Sequence, residues 1–177
     1  MLVCRTHRSI EALLVDLAAH ELDVVLADAP AGPGTPTRLF NHLLGECGTS
    51  FFAAPELARA CRRGFPRSLE GAPFILPASD STLRRLLNEW FDRCRIKPKV
   101  VAELDDAALA KVLGEARIGI FAAPDVTEKD MKQQQRVHVV GRASRLRQRF
   151  YAISVERKVS NPAVVAICEE ARKQIFA

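Results

Sequence analysis

The chain has 177 residues, 48% hydrophobic and 27% charged, enough apolar matter for one ordinary core or two small ones and unlike a disordered or fibrous composition. No apolar run approaches the roughly 18 residues that span a bilayer, and the opening MLVCRTHRSIEALL lacks a basic-then-apolar leader, so a cytoplasmic chain without membrane contact is expected. The net charge of +5 admits nucleic acid, but the excess sits largely in Arg142, Arg145, Arg147 and Arg149, without interleaved aromatics or helix-turn-helix patterning, and reads as a solvated basic loop.

Val3–Arg5 reads as the end of a strand. Ser9 then caps a helix whose Ile10, Leu13, Leu14 and Leu17 form one apolar stripe. Leu22–Ala27 is a short apolar run of the kind found in strands buried on both faces, and Asp28–Gly34 closes it as a loop. Phe51–Pro55 leads to a short helix over Pro55–Arg62, and Phe74–Leu76 is a buried strand. Ser79, Asp80, Ser81 and Thr82 supply capping oxygens to a helix with Leu83, Leu86, Leu87, Trp90, Phe91 and Cys94 on one face. Val100–Leu104 is a strand, and Asp105 or Asp106 caps the helix after it. Ile118–Phe121, Val137–Val140 and Phe150–Val155 are further strands. Asn161-Pro162 opens a last helix as an N-cap and first-turn pair. Strand and helix thus alternate twice, which predicts an α/β fold of two small doubly wound lobes. The first lobe is expected from 1–52 plus 151–177 and the second from 53–150. Ligands of such sheets bind beyond the carboxyl ends of strands, beside helix N-termini. On that rule Ala29 and Pro30, after Leu22–Ala27, and Phe121 and Ala122, at the end of Ile118–Phe121, are candidate ligand contacts. Ser79, Asp80, Ser81 and Thr82 combine hydroxyls with free N–H groups at a helix start, an arrangement suited to a polar or anionic ligand, although capping needs only one or two of them.

Other chemistry is thin. Cys4, Cys47, Cys61, Cys94 and Cys168 show no metal-ligand spacing and read as free thiols in a reducing compartment. Asp105 and Asp106 could be paired carboxylates, but capping accounts for them. His7, His20, His42 and His138 lack nucleophile partners. Gly32-Pro33-Gly34 is too proline-rich to cradle phosphate, and neither a Gly-x-Ser-x-Gly elbow nor a P-loop occurs. No catalytic residue, metal or cofactor is expected, so the chain reads as a binding domain rather than an enzyme.

The order of segments SIEALLVDLAAHELDVVLADAP, FFAAPELA, APFILPASDSTLRRLL, ELDDAALAKVLGEARIGIFAAP and FYAISVERKVSNPAVVAICEEAR resembles the regulatory domain of LysR-type transcriptional regulators. FNHLLGECGTSFFAAPELA and RFYAISVERKVSNPAV resemble in particular the subgroup that activates sodium/proton antiporter genes. The resemblance implies two lobes of the type 2 periplasmic-binding-protein kind, a small-molecule or ion effector, and effector contacts at the Ser79–Thr82 turn. It also implies self-association through this domain, promoter DNA reached only through a helix-turn-helix outside this sequence, and RNA polymerase as a candidate partner. The expected response is to sodium or alkaline stress. Two departures stand out. Arg117 occupies a position where the family usually has glycine in a left-handed helix end, so the turn is expected to be remodelled. The family's first strand and helix, expected before Val3, are absent, so the domain reads as N-terminally truncated. The alternative is a transporter's solute-binding protein of the same two-lobe fold, which would carry a leader or lipid anchor and few free cysteines.

Overall fold

The computed structural model describes residues 2–6, 9–32, 38–134 and 136–176, so His7 and the Pro33–Gly34 end of the expected loop lie outside the described residues. The chain divides into two compact units, Met1–Glu46 with Arg149–Ala177, and Cys47–Gln148. Both divisions fall inside long strands, β2 (Phe40–Ala53) and β6 (His138–Ser154), which pass from one unit into the other. The expected divisions stood at 52/53 and 150/151.

The first unit holds α1 (Ile10–Ala18), β1 (Val25–Ala27), parts of β2 and β6, and α6 (Pro162–Glu170). Its strand order is β1-β6-β2, with Val25 opposite Ile153 and Ala27 opposite Tyr151 in antiparallel register. Successive residues of a strand face opposite sides. Ile153 accordingly packs with Val25 and with Leu14 and Leu17 of α1, while Ala152 packs with Leu44 and with Val164 and Cys168 of α6. Asn161 caps α6 by accepting the Ala163 N–H at 3.0 Å, with Pro162 in the first turn. The strand expected at Val3–Arg5 does not form, and Leu22–Ala27 shortens to three residues. A strand persists only where a neighbour takes its hydrogen bonds, and β1 keeps the three residues that face Tyr151, Ala152 and Ile153 of β6.

In the second unit β3 (Pro73–Pro77) runs parallel to β4 (Lys99–Leu104). Phe74 also bridges Ile120 in parallel, with Ile75 N–H on the Ile120 carbonyl at 2.8 Å. Ile120 leads into β5 (Phe121–Pro124), which pairs antiparallel with β2, Phe52 opposite Phe121. The strands therefore lie in the order β4-β3-β5-β2-β6. Alternation again builds two cores. Phe51, Phe74, Leu76 and Ile120 face α3 (Thr82–Cys94), where Phe51 lies 5.1 Å from Trp90 and 5.7 Å from Phe74 between ring centroids. Phe52, Ile75 and Phe121 face the other way, toward Ala110 and Leu113 of α4 (Ala107–Glu115) and Met131 of α5 (Glu128–Gln134). A sheet covered on both faces is the doubly wound arrangement.

Two expectations change. Arg142–Arg149 is not a solvated loop but the middle of β6, a single strand of 17 residues. The arginines point outward while Ala143, Leu146 and Gln148 are buried, and strict in–out alternation holds from Arg145 to Arg149. The turn at Arg117 is not remodelled: Arg117 keeps a left-handed φ of 66°, with its N–H on Gly114 and the Ile118 N–H on Leu113. The two hydrogen bonds of the helix end hold the conformation although the residue carries a Cβ.

Candidate functional site

Because β3, β4 and the strand through Ile120 are parallel, their carboxyl ends at Pro77, Leu104 and Pro124 share one edge of the second unit. Ser79–Thr82 lie at that edge. The turn is shaped by backbone bonds, Ala78 N–H to the Leu104 carbonyl at 2.9 Å and Ser81 N–H to the Ala78 carbonyl at 3.0 Å. Ser81 takes the capping role, with extended φ/ψ of −78° and 149° and its Oγ accepting the Arg84 N–H at 3.1 Å. Ser79 and Asp80 are exposed, and Ser81 and Thr82 half-buried.

Two residues that the sequence reading passed over hold this turn in place. Arg84 donates through Nη1 to the Pro77 carbonyl and to Glu103 Oε2, both at 2.8 Å. The hydrogen bond from Arg84 holds the Glu103 carboxyl below its ordinary range, helped by the Ser79 N–H. The visible signal was a lone carboxylate in the otherwise apolar run Val100–Leu104.

Beside the turn lies a cavity of about 400 Å³, lined by Ser79, Asp80, Ser81 and Thr82 and by Arg85, Asn88, Glu89 and Asp92 along α3. Arg85 pairs with Glu89 at 2.7 Å, so the lining is rich in oxygen acceptors. Such a wall hydrogen-bonds a polar ligand. Among the described residues no group of three or more His, Cys, Asp or Glu side chains could hold a metal ion.

The remaining candidates separate. Ala122 is half-buried, pairs with Phe51 in the β2–β5 register and packs against the Phe51 core. Phe121 is 1% exposed and stacks on Phe52 at 5.6 Å between centroids, which places its side chain in the core. Ala29 and Pro30 follow β1 in the first unit, half-buried and exposed respectively, and Asn41 ties their loop by accepting the Ala31 N–H at 2.8 Å. Asp106 caps α4 by accepting the Ala108 N–H at 2.7 Å, the role that capping alone predicts.

At the same edge of the second unit β2 carries a buried polar chain that sequence inspection does not reveal. Thr49, opposite Pro124, donates to the Leu146 carbonyl at 3.1 Å and accepts from Gln148 Nε2 at 2.8 Å. Ser50 donates to Glu128 Oε1 at 2.6 Å, and Arg142 grips both oxygens of that carboxylate at 2.6 Å each. Buried polar atoms need such partners, but those of Thr49 and Ser50 lie 78 to 99 positions away, which no local pattern shows.

Comparison with known proteins adds a family. Residues 5–175 match the LysR substrate binding domain. The transcriptional activator protein NhaR of Escherichia coli K12 is 33% identical over 170 residues, covering 94% of this chain and 54% of that protein. This chain thus spans about half the length of the curated relatives it matches. Among solved structures, the cofactor-binding domain of the Cbl transcriptional regulator superposes with a TM-score of 0.71 at 13% identity, covering 94% of this chain and 72% of that one. The Synechocystis CcmR regulatory domain in complex with 2-PG gives 0.64 at 15% identity, covering 94% and 81%. Vibrio fischeri DarR in complex with DNA gives 0.68 at 17% identity, covering 94% and 56%. At these identities the superpositions speak for the α/β fold of type 2 periplasmic-binding-like regulatory domains. The matched relatives are transcriptional regulators rather than enzymes.

Proposed function

From the premise that this chain belongs to the LysR family, as an effector-binding domain of a LysR-type regulator, we propose that it senses the signal for an activator of sodium/proton antiporter genes under sodium or alkaline stress. The 33% identity with NhaR over nearly the whole chain carries this reading. The proposed effector contact in the second unit is the Ser79–Thr82 turn, with Ala122 on the neighbouring strand; Ala29 and Pro30 are a separate proposed contact on the first unit. Ser81 caps the helix, and the hydroxyl and carboxylate oxygens that line the cavity beside the turn and along α3 suit a small polar or cationic effector. Binding would shift the population of regulator conformations and so act on promoter DNA held by the rest of the protein in a cytoplasmic, self-associating parent, with RNA polymerase as the further partner.

The test is a chimera in which this chain replaces the matching half of E. coli NhaR. It should activate an antiporter-promoter reporter when sodium chloride, but not potassium chloride, is added. Ser79→Ala with Thr82→Ala should blunt that response and leave promoter binding intact, while Ser81 is kept so that the helix cap survives. A chimera that binds the promoter but ignores sodium would refute the sodium reading. A double variant with the full response would remove the turn from the site.

A further inference from the structure

A separate feature lies wholly in the first unit and does not depend on the effector reading. A cavity of about 250 Å³ opens beside α6, lined by His42, Arg157, Lys158, Val159, Cys168 and Arg172 among others. The cationic groups are Arg157 and Lys158, in the turn after β6, and Arg172, just past the end of α6; His42 of β2 completes the wall.

Their neighbours do not neutralise them. Glu156 turns its carboxylate to Ser160, accepting from its N–H at 3.1 Å and its hydroxyl at 2.8 Å. Glu169, also on the wall, pairs with Lys173 at 3.6 Å. Among the described residues neither Arg157 nor Lys158 forms an ion pair. Arg172 is held in place by donating Nε and Nη2 to the Leu43 carbonyl at 3.4 and 3.3 Å. The turn that carries Arg157 and Lys158 is fixed as well. Ser154 Oγ donates its single proton to the Glu156 carbonyl at 2.8 Å, so the 2.9 Å contact with His42 must have His42 Nε2–H as its donor. The floor is apolar, with Val165 half-buried and Cys168 buried, and burial pushes the Cys168 thiol up, which keeps it uncharged.

We propose that this cavity is a binding site for a compact oxyanion, phosphate or carboxylate, clamped by Arg157, Lys158 and Arg172. Guanidinium groups offer such anions paired, charge-assisted N–H donors, and a site that already gathers uncompensated positive charge gains most from taking one. The volume suits a small anion, since drug-sized ligands occupy about 300–1,000 Å³.

The whole chain is melted in sodium chloride, sodium phosphate and sodium malonate at matched ionic strength. The phosphate and malonate arms separate a tetrahedral from a planar oxyanion. At an anion concentration of roughly five times Kd the midpoint should rise by about 2–4 °C over chloride in at least one arm. Arg157→Gln with Lys158→Gln should abolish the rise; both residues are exposed, so the fold should survive. Arg59→Gln with Arg145→Gln removes the same charge elsewhere and should keep it. Broadening of the phosphate 31P line by the wild type, and its loss in the cavity variant, is a second readout for the phosphate arm. No rise in either arm overturns the proposal, and so does a rise that survives in the cavity variant or vanishes equally in the charge-matched control.

Discussion

Among the described residues three helices end on a left-handed residue that is not glycine: His20 after α1, Arg95 after α3 and Arg117 after α4, with φ of 60°, 56° and 66°. At each, the residue's N–H reaches the carbonyl three positions back and the next N–H the carbonyl five back, as with Arg95 on Asp92 and Ile96 on Phe91 at 3.1 and 3.0 Å. Arg95 is the cleanest site to perturb, because it is exposed and forms no ion pair among the described residues, whereas Arg117 pairs with Glu56 at 3.1 Å. A Cβ in this conformation costs roughly 1–2 kcal/mol. Glycine removes that cost but adds freedom to the unfolded chain, worth about 0.4–1 kcal/mol. Arg95→Gly should therefore stabilise the second unit by about 0.5–1 kcal/mol. With a urea slope of about 1–3 kcal/mol/M, the midpoint rises by a few tenths of a molar. The assay is urea unfolding followed by fluorescence, because the single tryptophan, Trp90, is buried in the second unit's core and reports on that unit. Gly71→Ala is the reciprocal control: φ there is 65° and an added Cβ meets nothing within 4 Å, so any loss, expected near 1 kcal/mol, is conformational. A fall in the midpoint for Arg95→Gly would refute the reasoning, since it is what glycine does inside a helix.

Thr49→Val strands both Gln148 Nε2 and the Leu146 carbonyl in the interior. It should cost about 1–3 kcal/mol in the same assay, more than a well-tolerated isosteric swap. Glu103→Gln addresses pH. The folded carboxyl titrates below its unfolded value because of Arg84, so its contribution is complete above the ordinary glutamate pKa, about 4.3, and fades as pH falls through the folded value. Between about pH 5 and 3 the wild type's melting temperature should fall more steeply than the variant's, and parallel curves would show that the pair contributes nothing. Thiol labelling of the native chain, read by mass spectrometry, should modify exposed Cys4 quickly, while Cys61 and Cys168, whose thiols burial pushes up, should wait for unfolding. Labelling of Cys168 at the rate of Cys4 would contradict its placement.

Apolar spacing in the sequence was enough to place α1, α3, α4 and α6, because the stripe that a helix buries is written at i, i+3, i+4 and i+7 whatever it packs against. The capping roles of Asp106 and Asn161 were legible for the same reason, since a cap acts within three residues. So was the Ser79–Thr82 turn, where an apolar strand stops and hydroxyls precede a helix. Strand lengths were not local. β6 runs 17 residues through four arginines because β2 lies beside it to take its hydrogen bonds, and β1 keeps only the three residues that pair with β6. Tertiary structure also decided which side chains lie in the core. Phe121 ended a strand on paper, yet pleating turns it onto Phe52 and into the core, while Ala122 faces the other way. Arg84 with Glu103, Thr49 with Gln148, and the cavity wall of His42, Arg157 and Arg172 bring together residues distant in the chain. A hydrogen bond or a shared cavity depends on separation in space, and only the folded sheet sets that separation.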